Sequence, residues 1–293
     1  MFTCKRLRNT NISIFRELNS ERNTFNDLNE DFFYLYDKIT SMDRFIMMKK
    51  VILLQHEESL NYIGYIWLYK LNRYNYKIRA FNVGDKYKYN LEAYSKLVNY
   101  AFKDTFSVNY VCNKNDYNFN ILYSLGFKKN NGTLKMKKNL NCYMCINKPS
   151  SVEICNVYDE KGDSLRCKIQ NSIFESNNRI PLTLDDIFFE KKQKYYYNDG
   201  CFLLKLKNEY IGYGQVIFEE EDIPCIVNFG IISKYRGLGY SKYFLSFILN
   251  RIYKANYKLV NIKVSSENKV AINLYTSMGF YIEEETCKWQ LIK

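Results

Sequence analysis

Hydrophobic residues in the second half of the chain recur with two periods, that of a strand and that of a helix. Residues 239–254 are predicted to form a helix, because their apolar positions share one stripe, made of Phe244, Leu245, Ile248, Leu249 and Ile252. Further helices are predicted at residues 164–175, at 184–191 after the capping residue Thr183, and at 269–278. Apolar runs between polar turns predict strands at residues 152–157, 201–207, 210–218, 223–232 and 259–264, and a pair of strands within 280–292.

The same motifs occur twice in the same order. Tyr-Ile-Gly-Tyr stands at residues 62–65 and 210–213, and a Leu-Tyr pair followed by Gly-Phe stands at 122–127 and 274–280. A repeat of half the chain length indicates one domain type used twice. The polar segment after residue 138, which contains Pro149, reads as a linker. We therefore predict two α/β domains, residues 1–146 and 147–293, each with a mixed sheet.

Composition and charge narrow the choice of partners. The chain has 293 residues, of which 47% are hydrophobic, and a formal net charge of +12. The lysines are dispersed rather than grouped in blocks, so a polyphosphate ligand accounts for the charge better than nucleic acid does. Neither a signal-peptide core nor an apolar run of membrane-spanning length is evident, which predicts a cytoplasmic protein without membrane contact.

The cysteines and the single histidine exclude several kinds of chemistry. The nine cysteines are scattered, and Cys142 and Cys145 form a lone C-x-x-C. His56 is the only histidine, so a zinc site would lack ligands and a histidine-dependent hydrolase would rest on that residue alone. We read His56 as a turn residue and predict no metal.

A glycine-containing loop joins the strand predicted at 223–232 to the helix predicted at 239–254. It reads Arg236-Gly237-Leu238-Gly239. Glycines let the main chain approach an anion closely, and free N–H groups at a helix N-terminus favour negative charge. Lys242 is unfavourable beside a bare helix N-terminus but suits one that holds a phosphate. A turn that merely starts a helix is the alternative interpretation of this loop.

A second motif follows about thirty residues later, at residues 268–280. Ala271, Leu274 and Tyr275 fall on one helix face, and Gly279 is placed to end the helix. Together the two motifs resemble the acetyl-CoA-binding motifs of the GNAT superfamily of N-acetyltransferases. The resemblance covers residues from about 150 to 293, with Ser241 and Ser233 as mild departures. It implies two tandem GNAT-like domains, each with a mixed, mostly antiparallel sheet flanked by helices.

The resemblance also implies roles for individual residues. The N–H groups from Arg236 to Ser241 would hold the pyrophosphate of acetyl-CoA, and the pantetheine arm would pair with the splayed strand near Gly230. Tyr275 would be the general acid at the thioester sulfur. The residues implied in cofactor binding are Phe229, Gly230, Ile231, Arg236, Gly237, Leu238, Gly239, Tyr240, Ser241, Lys242 and Asn268.

The general base and the acceptor are not assigned by these motifs. Where the family often has a glutamate, this chain has Cys225, and a Cys225 nucleophile is disfavoured because it would lack a histidine partner. The acidic residues 219–221 read as a solvated turn. By family analogy the acceptor pocket would be lined by residues 176–182 and by a final hairpin around residues 283–285, whose glutamates could attract a cationic amine.

The first half departs from the family pattern. Its counterpart of the phosphate loop contains Gly84 and Asp85, with one glycine, no arginine and an added negative charge. Tyr123 lies one residue closer to its glycine than Tyr275 does. We expect a degenerate domain without cofactor, in a monomer whose two halves pack as an internal pseudo-dimer.

Three functions remain open from the sequence. The leading one is an N-acetyltransferase that moves an acetyl group directly from acetyl-CoA to a primary amine of a small molecule. The second is a non-catalytic acyl-CoA-binding or regulatory protein, which a missing base would favour. The third is a nucleic-acid-associated protein that exploits the positive charge.

Overall fold

Strands and helices alternate along the chain in the order that the repeat predicts. A computed structural model describes residues 1–102, 107–176, 179–220 and 223–292. The helices are α1 (Ile12–Ser20), α2 (Phe32–Tyr36), α3 (Ser41–Met48), α4 (Leu91–Ala101), α5 (Asn118–Ser124), α6 (Glu160–Ile173), α7 (Leu184–Lys191), α8 (Tyr240–Lys254) and α9 (Lys269–Ser277). The strands are β1 (Phe2–Arg6), β2 (Val51–His56), β3 (Tyr62–Lys70), β4 (Asn75–Val83), β5 (Ser107–Asn113), β6 (Lys128–Asn139), β7 (Val152–Asn156), β8 (Tyr196–Leu206), β9 (Glu209–Glu220), β10 (Ile223–Ile231), β11 (Leu259–Ser265) and β12 (Tyr281–Ile292).

Two compact units divide the chain. The first contains Met1–Thr133 and Glu284–Lys293, and the second contains Leu134–Glu283. The sequence analysis instead places a domain boundary at residue 147, in the polar segment between β6 and β7. The two divisions differ because β6 and β12 are long strands that each contribute one end to each unit.

Each unit contains the mixed, mostly antiparallel sheet predicted for each domain. In the first, β1, β2, β3, β4 and β5 lie in this order, followed by the end of β12, and β4 and β5 are the one parallel pair among its described residues. In the second, β7, β8, β9, β10 and β11 lie in the same order, followed by the end of β6. Only β10 and β11 are parallel among these described pairs. The fold class predicted from the repeat is therefore confirmed.

Local signals fix several element ends. Thr183 caps the start of α7, as the sequence predicts, and Asp186 completes a reciprocal capping box with it. Asp159 accepts a hydrogen bond from the Gly162 N–H and starts α6 at residue 160, four residues before the predicted start. Gly279 has a φ of +85°, a conformation that suits glycine and ends α9.

The predicted final hairpin is wrong. β12 runs unbroken from Tyr281 to Ile292, so no turn forms around residues 283–285. In the second unit Glu283 pairs with Lys135 and Lys137, and in the first unit Glu285 pairs with Lys129 at 2.5 Å. Charged side chains that point from neighbouring strands can neutralise each other, which lets an acidic run continue as strand where the sequence suggests a turn.

The second unit buries side chains on both faces of its sheet. The predicted stripe of α8 lies in a core with the sheet and α9, and each of its five residues is at most 4% exposed. The other face packs against α6 through Ile169 and Ile173, together with Leu203 and Tyr213. These two layers hold β10 and the start of α8 in fixed positions.

Across the described segments, no helix combines the length and the hydropathy that a bilayer crossing requires. Likewise, no group of three or more metal-ligating side chains occurs among the described residues. Cys142 and Cys145 are both exposed thiols. His56 ends β2 rather than lying in a turn, with its ring edge-on to Phe2.

Candidate functional site

A cavity of about 780 Å³ opens where β10 stops pairing with β11. The two parallel strands are paired at Cys225–Asn261 and Ile226–Ile262. Immediately afterwards a bulge interrupts the pairing of β10 with β9 between Val227 and Gly230. Bulges re-aim the main chain, and next to a cavity they often serve a ligand site.

The cavity is lined by the predicted site. Ten of the twelve residues that the sequence analysis assigns to cofactor binding or catalysis lie on its wall; Leu238 and Tyr240 are the two that do not. The lining residues are Ile173, Phe174, Phe229, Gly230, Ile231, Arg236, Gly237, Gly239, Ser241, Lys242, Asn268, Val270, Ala271, Leu274 and Tyr275. One surface of the second unit therefore brings together segments that are about a hundred residues apart in the chain.

The loop at the start of α8 has the geometry of an anion site. Gly237 and Gly239 have φ values of +78° and +83°, a region that costs other L-residues energy. A Cβ on either glycine would meet no atom within 4 Å, so the space beside them is open. Within the described part of the chain, no acceptor bonds the N–H groups of residues 237–241. Five main-chain donors at a helix N-terminus thus remain available to a ligand.

Arg236 anchors this loop. Its N–H already donates to the Ser233 carbonyl oxygen at 3.1 Å. Its guanidinium donates through Nε to the Ile231 carbonyl, at 2.8 Å, and through an Nη to the Ile173 carbonyl, at 3.0 Å. The arginine side chain therefore ties the end of β10 to the end of α6, and the open donors begin at Gly237.

Asn268 and Lys242 extend the wall on either side. Asn268 caps α9, because its Oδ1 accepts the Ala271 N–H at 3.1 Å, and its Nδ2 has no partner among the described residues. Lys242 is exposed in the first turn of α8 and makes no ion pair within the described segments. A cation in the first turn of a helix opposes the helix dipole unless an anion lies nearby.

Tyr275 forms the buried end of the cavity. It is 5% exposed, and its ring lies near the rings of Phe229 and Phe280, with centroids 6.4 and 5.9 Å away. Burial raises the pKa of its hydroxyl to about 12. The group is therefore a neutral hydrogen-bond donor throughout the neutral range.

Of the candidate bases and acceptor residues that the structure describes, none lines the cavity. Cys225 is 1% exposed within β10, and Glu219 pairs with Lys263. Residues 177, 178, 221 and 222 lie outside the described residues, as does the Glu220 side chain. Lys129 and Lys114 hold the pKa of Glu285 below its ordinary value, against the opposing effect of burial. Among the described residues that line the cavity there is no carboxylate and no histidine.

A buried polar cluster holds the bulge from the opposite face of the sheet. Arg166 is fully buried and pairs with Glu190. Gln215, also fully buried, donates to Glu190 at 2.8 Å and accepts from Arg166 at 3.1 Å. Asn228, at the bulge with a φ of +52°, donates to Gln215 at 3.3 Å. The sequence analysis missed this cluster, since its members are widely separated in the chain and match no motif.

We expect Glu190→Ala to destabilise the second unit by about 2 kcal/mol, because it leaves the buried guanidinium of Arg166 without its carboxylate. The shift in the urea midpoint of unfolding measures this cost. Glu209→Ala is the control, since it breaks an ion pair with Lys234 in which both side chains are more than half exposed, worth under about 1 kcal/mol. Equal midpoints for the two variants would contradict the structural role of the cluster.

Comparison with known proteins assigns this arrangement to a family. Residues 169–280 match the model of the acetyltransferase (GNAT) family, a stretch that contains both motifs and all fifteen residues that line the cavity. The second half of the chain carries a GNAT domain. The match supports acetyl transfer from an acyl-CoA in general and leaves the acceptor open.

Solved structures show that the whole chain has a tandem GNAT fold. A GCN5-related N-acetyltransferase from Sphaerobacter thermophilus superposes with a TM-score of 0.60 at 10% identity, covering 99% of this chain and 95% of the other. A tandem GNAT protein from the clavulanic acid biosynthesis pathway gives a TM-score of 0.50 at 8% identity, covering 100% and 98%. A comparison with curated protein sequences gives no match.

In the first GNAT-like unit, the residues that correspond to the cavity wall of the second unit have a different environment. Val83 pairs with Gly64 as Ile231 pairs with Gly212, so Phe81 in β4 corresponds to Phe229 in β10. The Phe81 main chain is occupied, since its N–H donates to Asn29 Oδ1 at 3.2 Å and its carbonyl accepts from Asn29 Nδ2 at 3.0 Å.

A neighbouring residue, Asn26, bonds β5 on the other side of the space between β4 and β5. Asn26 donates to the Val111 carbonyl of β5 at 2.9 Å and accepts the Asn113 N–H at 3.1 Å. Asn26 and Asn29 are at most 5% exposed. The segment between α1 and α2 therefore fills the space between β4 and β5 in the first unit, whereas no described side chain bonds the Phe229 main chain in the second.

The start of α4 and the loop before it also differ from the corresponding region of the second unit. Asn90 caps α4 with its own side chain, which accepts the Ala93 N–H at 3.1 Å. Asp85 pairs with Lys88 within a short 3₁₀ turn, and Gly84 has an ordinary negative φ. Tyr123 is 54% exposed, and Leu122 holds the position four before its glycine that Tyr275 holds in the second unit.

Five cavity residues were not assigned to the site from the sequence. Val270, Ala271 and Leu274 belong to the second GNAT motif, so the motif itself carried a signal for them. The sequence contains no signal for Ile173 and Phe174, because they reach the cavity only through the packing of α6 on β10. A Cβ at Gly230 would lie 2.4 Å from Ile173 Cγ2, which explains why that contact requires glycine.

Proposed function

We propose that this protein is an N-acetyltransferase that moves the acetyl group of acetyl-CoA directly to a primary amine of a small molecule. The observation that carries the proposal is the cavity of the second unit, which has five unbonded N–H donors at one end and the buried Tyr275 hydroxyl at the other. Between them runs β10, at the point where it leaves β11. A polyphosphate at the donors and a thioester near the hydroxyl would span this wall.

The donor molecule would be held mainly by main-chain groups. We assign the pyrophosphate to the N–H groups of residues 237–241, with Lys242 as an additional cation. The pantetheine amides would bond the edge of β10 at residues 229–231, beyond its pairs with β11, and the Nδ2 of Asn268. Arg236 would act by holding the loop in place rather than by touching phosphate.

In the proposed reaction the neutral amine nitrogen attacks the thioester carbonyl carbon and forms the new C–N bond. The C–S bond then breaks, and the sulfur leaves as a thiolate with an ordinary pKa of about 8.5. Tyr275, with a pKa of about 12, would stabilise that thiolate by donating a hydrogen bond. Full proton transfer from tyrosine to sulfur would be uphill by this difference, so the proton released by the amine is the one that neutralises the thiolate.

A Cys225 acyl-enzyme is not part of this proposal. Cys225 is buried within β10 and does not line the cavity. A non-catalytic acyl-CoA-binding function is the second candidate, because the described residues of the cavity wall include no carboxylate or histidine that could take the amine proton.

A panel of small amines separates the two candidates. Acetyl-CoA and each amine are incubated with the protein, CoA release is measured, and the acetylated product is identified by mass spectrometry. The proposal expects at least one amine to raise CoA release above the rate of hydrolysis, with a product heavier by one acetyl group. Tight acetyl-CoA binding without turnover on any amine would favour the non-catalytic candidate.

We further expect one acetyl-CoA per chain, bound in the second unit. The described residues of the first unit offer no equivalent site, because Asn26 and Asn29 fill the space between β4 and β5 and Asn90 caps α4. Isothermal titration should saturate at one equivalent, and Gly239→Asp should remove the whole signal. Lys86→Glu, which reverses an exposed charge in the corresponding loop of the first unit, should leave the titration unchanged. Two equivalents of similar affinity would contradict this assignment.

A further inference from the structure

A second cavity of about 780 Å³ lies in the first unit, beside its edge strand β1. Four cations line it: Lys5, Arg6, Arg8 and Lys49. Of the described residues on its wall, none is acidic. No carboxylate pairs with any of the four within the described part of the chain. We call this cavity the cationic groove.

The four cations come from three separate segments. Lys5 and Arg6 lie on β1, Arg8 lies in the loop that follows, and Lys49 caps the C-terminal end of α3. Charges on an edge strand are commonly explained as protection against pairing with another strand. That explanation covers the β1 residues only, and it does not account for the convergence of Arg8 and Lys49 on the same cavity.

The base of the cationic groove is fixed by buried groups. Leu7 and Asn11 are 4% and 7% exposed. Asn11 accepts the Arg8 N–H at 2.8 Å and donates to the Tyr62 hydroxyl at 3.3 Å, which holds the backbone of Arg8 against β3. The Arg6 guanidinium donates to the Lys49 carbonyl at 2.7 Å. The Arg6 guanidinium and the main chain of Arg8 are thus held in place before any ligand arrives, which lowers the entropic cost of binding.

The remaining wall adds no negative charge. Burial raises the pKa of Cys4 to about 11, against a smaller opposing effect of Lys96, so its thiol is neutral at physiological pH. Phe45, which is 59% exposed, and the rings of Tyr62 and Tyr100 supply apolar surface. The cationic groove therefore combines net positive charge with aromatic contact area.

We propose that the cationic groove of the first unit binds a small polyanion that carries two or more phosphate groups. The volume lies within the range of about 300–1,000 Å³ typical of small-molecule pockets. Unpaired cations that converge on a concave surface attract phosphates through direct charge–charge contacts. This site is independent of the proposed acetyl-CoA site, which lies in the other unit. It gives the first unit a ligand even though Asn26 and Asn29 fill the space between β4 and β5.

Tripolyphosphate and ATP are the probes, titrated calorimetrically into the full-length protein. Both titrations use the Gly239→Asp background, so that the loop of the second unit cannot contribute. The test variant is Lys5→Glu with Arg8→Glu, two exposed side chains that make no ion pair within the described residues. Lys70→Glu with Lys128→Glu is the control, because it makes the same change in net charge at exposed positions outside the groove.

We expect the test variant to weaken tripolyphosphate binding at least about tenfold and the control to change it less than about threefold, with both effects shrinking at high salt. Tighter binding of ATP than of tripolyphosphate, lost in Phe45→Ala, would identify a nucleotide as the ligand; equal affinities would identify a phosphate without a ring. Equal weakening in test and control variants would overturn the proposal. So would binding that is present in the wild type but absent in the Gly239→Asp background, or a single-stranded oligonucleotide that binds more tightly than either probe.

Discussion

Gly239→Asp is expected to abolish acetyl-CoA binding, with a loss of at least about 1,000-fold in affinity. Gly239 has a φ of +83° and directly precedes α8, and a Cβ there would meet no atom within 4 Å. Under the proposed function that space holds the pyrophosphate, so the carboxylate would displace it and repel it. Losing two charge-assisted hydrogen bonds of about 2 kcal/mol each accounts for a loss of this size.

The matched control for this variant is Gly239→Asn. Asparagine has nearly the size of aspartate and tolerates positive φ, but it carries no charge. We expect Gly239→Asn to weaken binding less than Gly239→Asp. Both variants should lower the urea midpoint slightly and by similar amounts, because each places a side chain at a φ of +83°. Unchanged acetyl-CoA affinity in the purified aspartate variant would show that the cofactor binds elsewhere.

Tyr275→Phe should lower kcat by about 100-fold while acetyl-CoA affinity changes only a few-fold. The hydroxyl is the group that the mechanism uses, and it donates to the thiolate only as the C–S bond breaks. The ring itself is packed near Phe229 and Phe280, so phenylalanine preserves the core. The measurement is single-turnover CoA release with the best amine of the panel. A rate equal to that of the wild type would reassign Tyr275 to packing alone.

The first unit supplies the control for this substitution. Tyr123→Phe changes the tyrosine of the corresponding motif, which is 54% exposed and faces Trp289 with ring centroids 4.6 Å apart. We expect no change in kcat. A similar loss in both variants would point to a general effect of tyrosine removal on the assay rather than to a catalytic hydroxyl.

The pH dependence of the reaction offers a separate check on Tyr275. Its pKa is raised to about 12, so the hydroxyl is protonated below that pH and loses its proton only as the pH rises through it. Between pH 6 and 10 the rate should therefore rise as the amine is deprotonated and show no falling limb caused by tyrosine. A limb with an apparent pKa near 10 that disappears in Tyr275→Phe would contradict the buried environment of the hydroxyl.

The sequence by itself determined the elements that rest on local signals. The helical stripe of α8, the cap at Thr183 and the glycine that ends α9 depend on neighbouring residues, and they were predicted correctly. The loop at residues 236–239 and the motif at 268–280 were also found, because their chemistry requires fixed residue types at fixed spacing. The doubling of the fold was evident from the repeat, since two copies of a motif need no structure to be compared.

Only the tertiary structure decided where the pieces meet. The contribution of Ile173 and Phe174 to the cavity, and the buried contact of Arg166 with Glu190, join residues whose positions follow from packing rather than from spacing. The segment 26–29 that fills the strand gap of the first unit looks like an ordinary polar loop in the sequence. Its asparagines matter because they lie beside unpaired main-chain groups of β4 and β5.

The last strand shows most plainly that the local sequence does not determine every element. Glu283, Glu284 and Glu285 suggest an exposed turn, because consecutive acidic residues repel one another when nothing neutralises them. In the fold, lysines of β6 lie beside Glu283 and Glu285, so the charges are paired and the strand continues. A local pattern reports what a segment prefers when it is alone, and the free energy of the whole fold decides whether a distant partner overrides that preference.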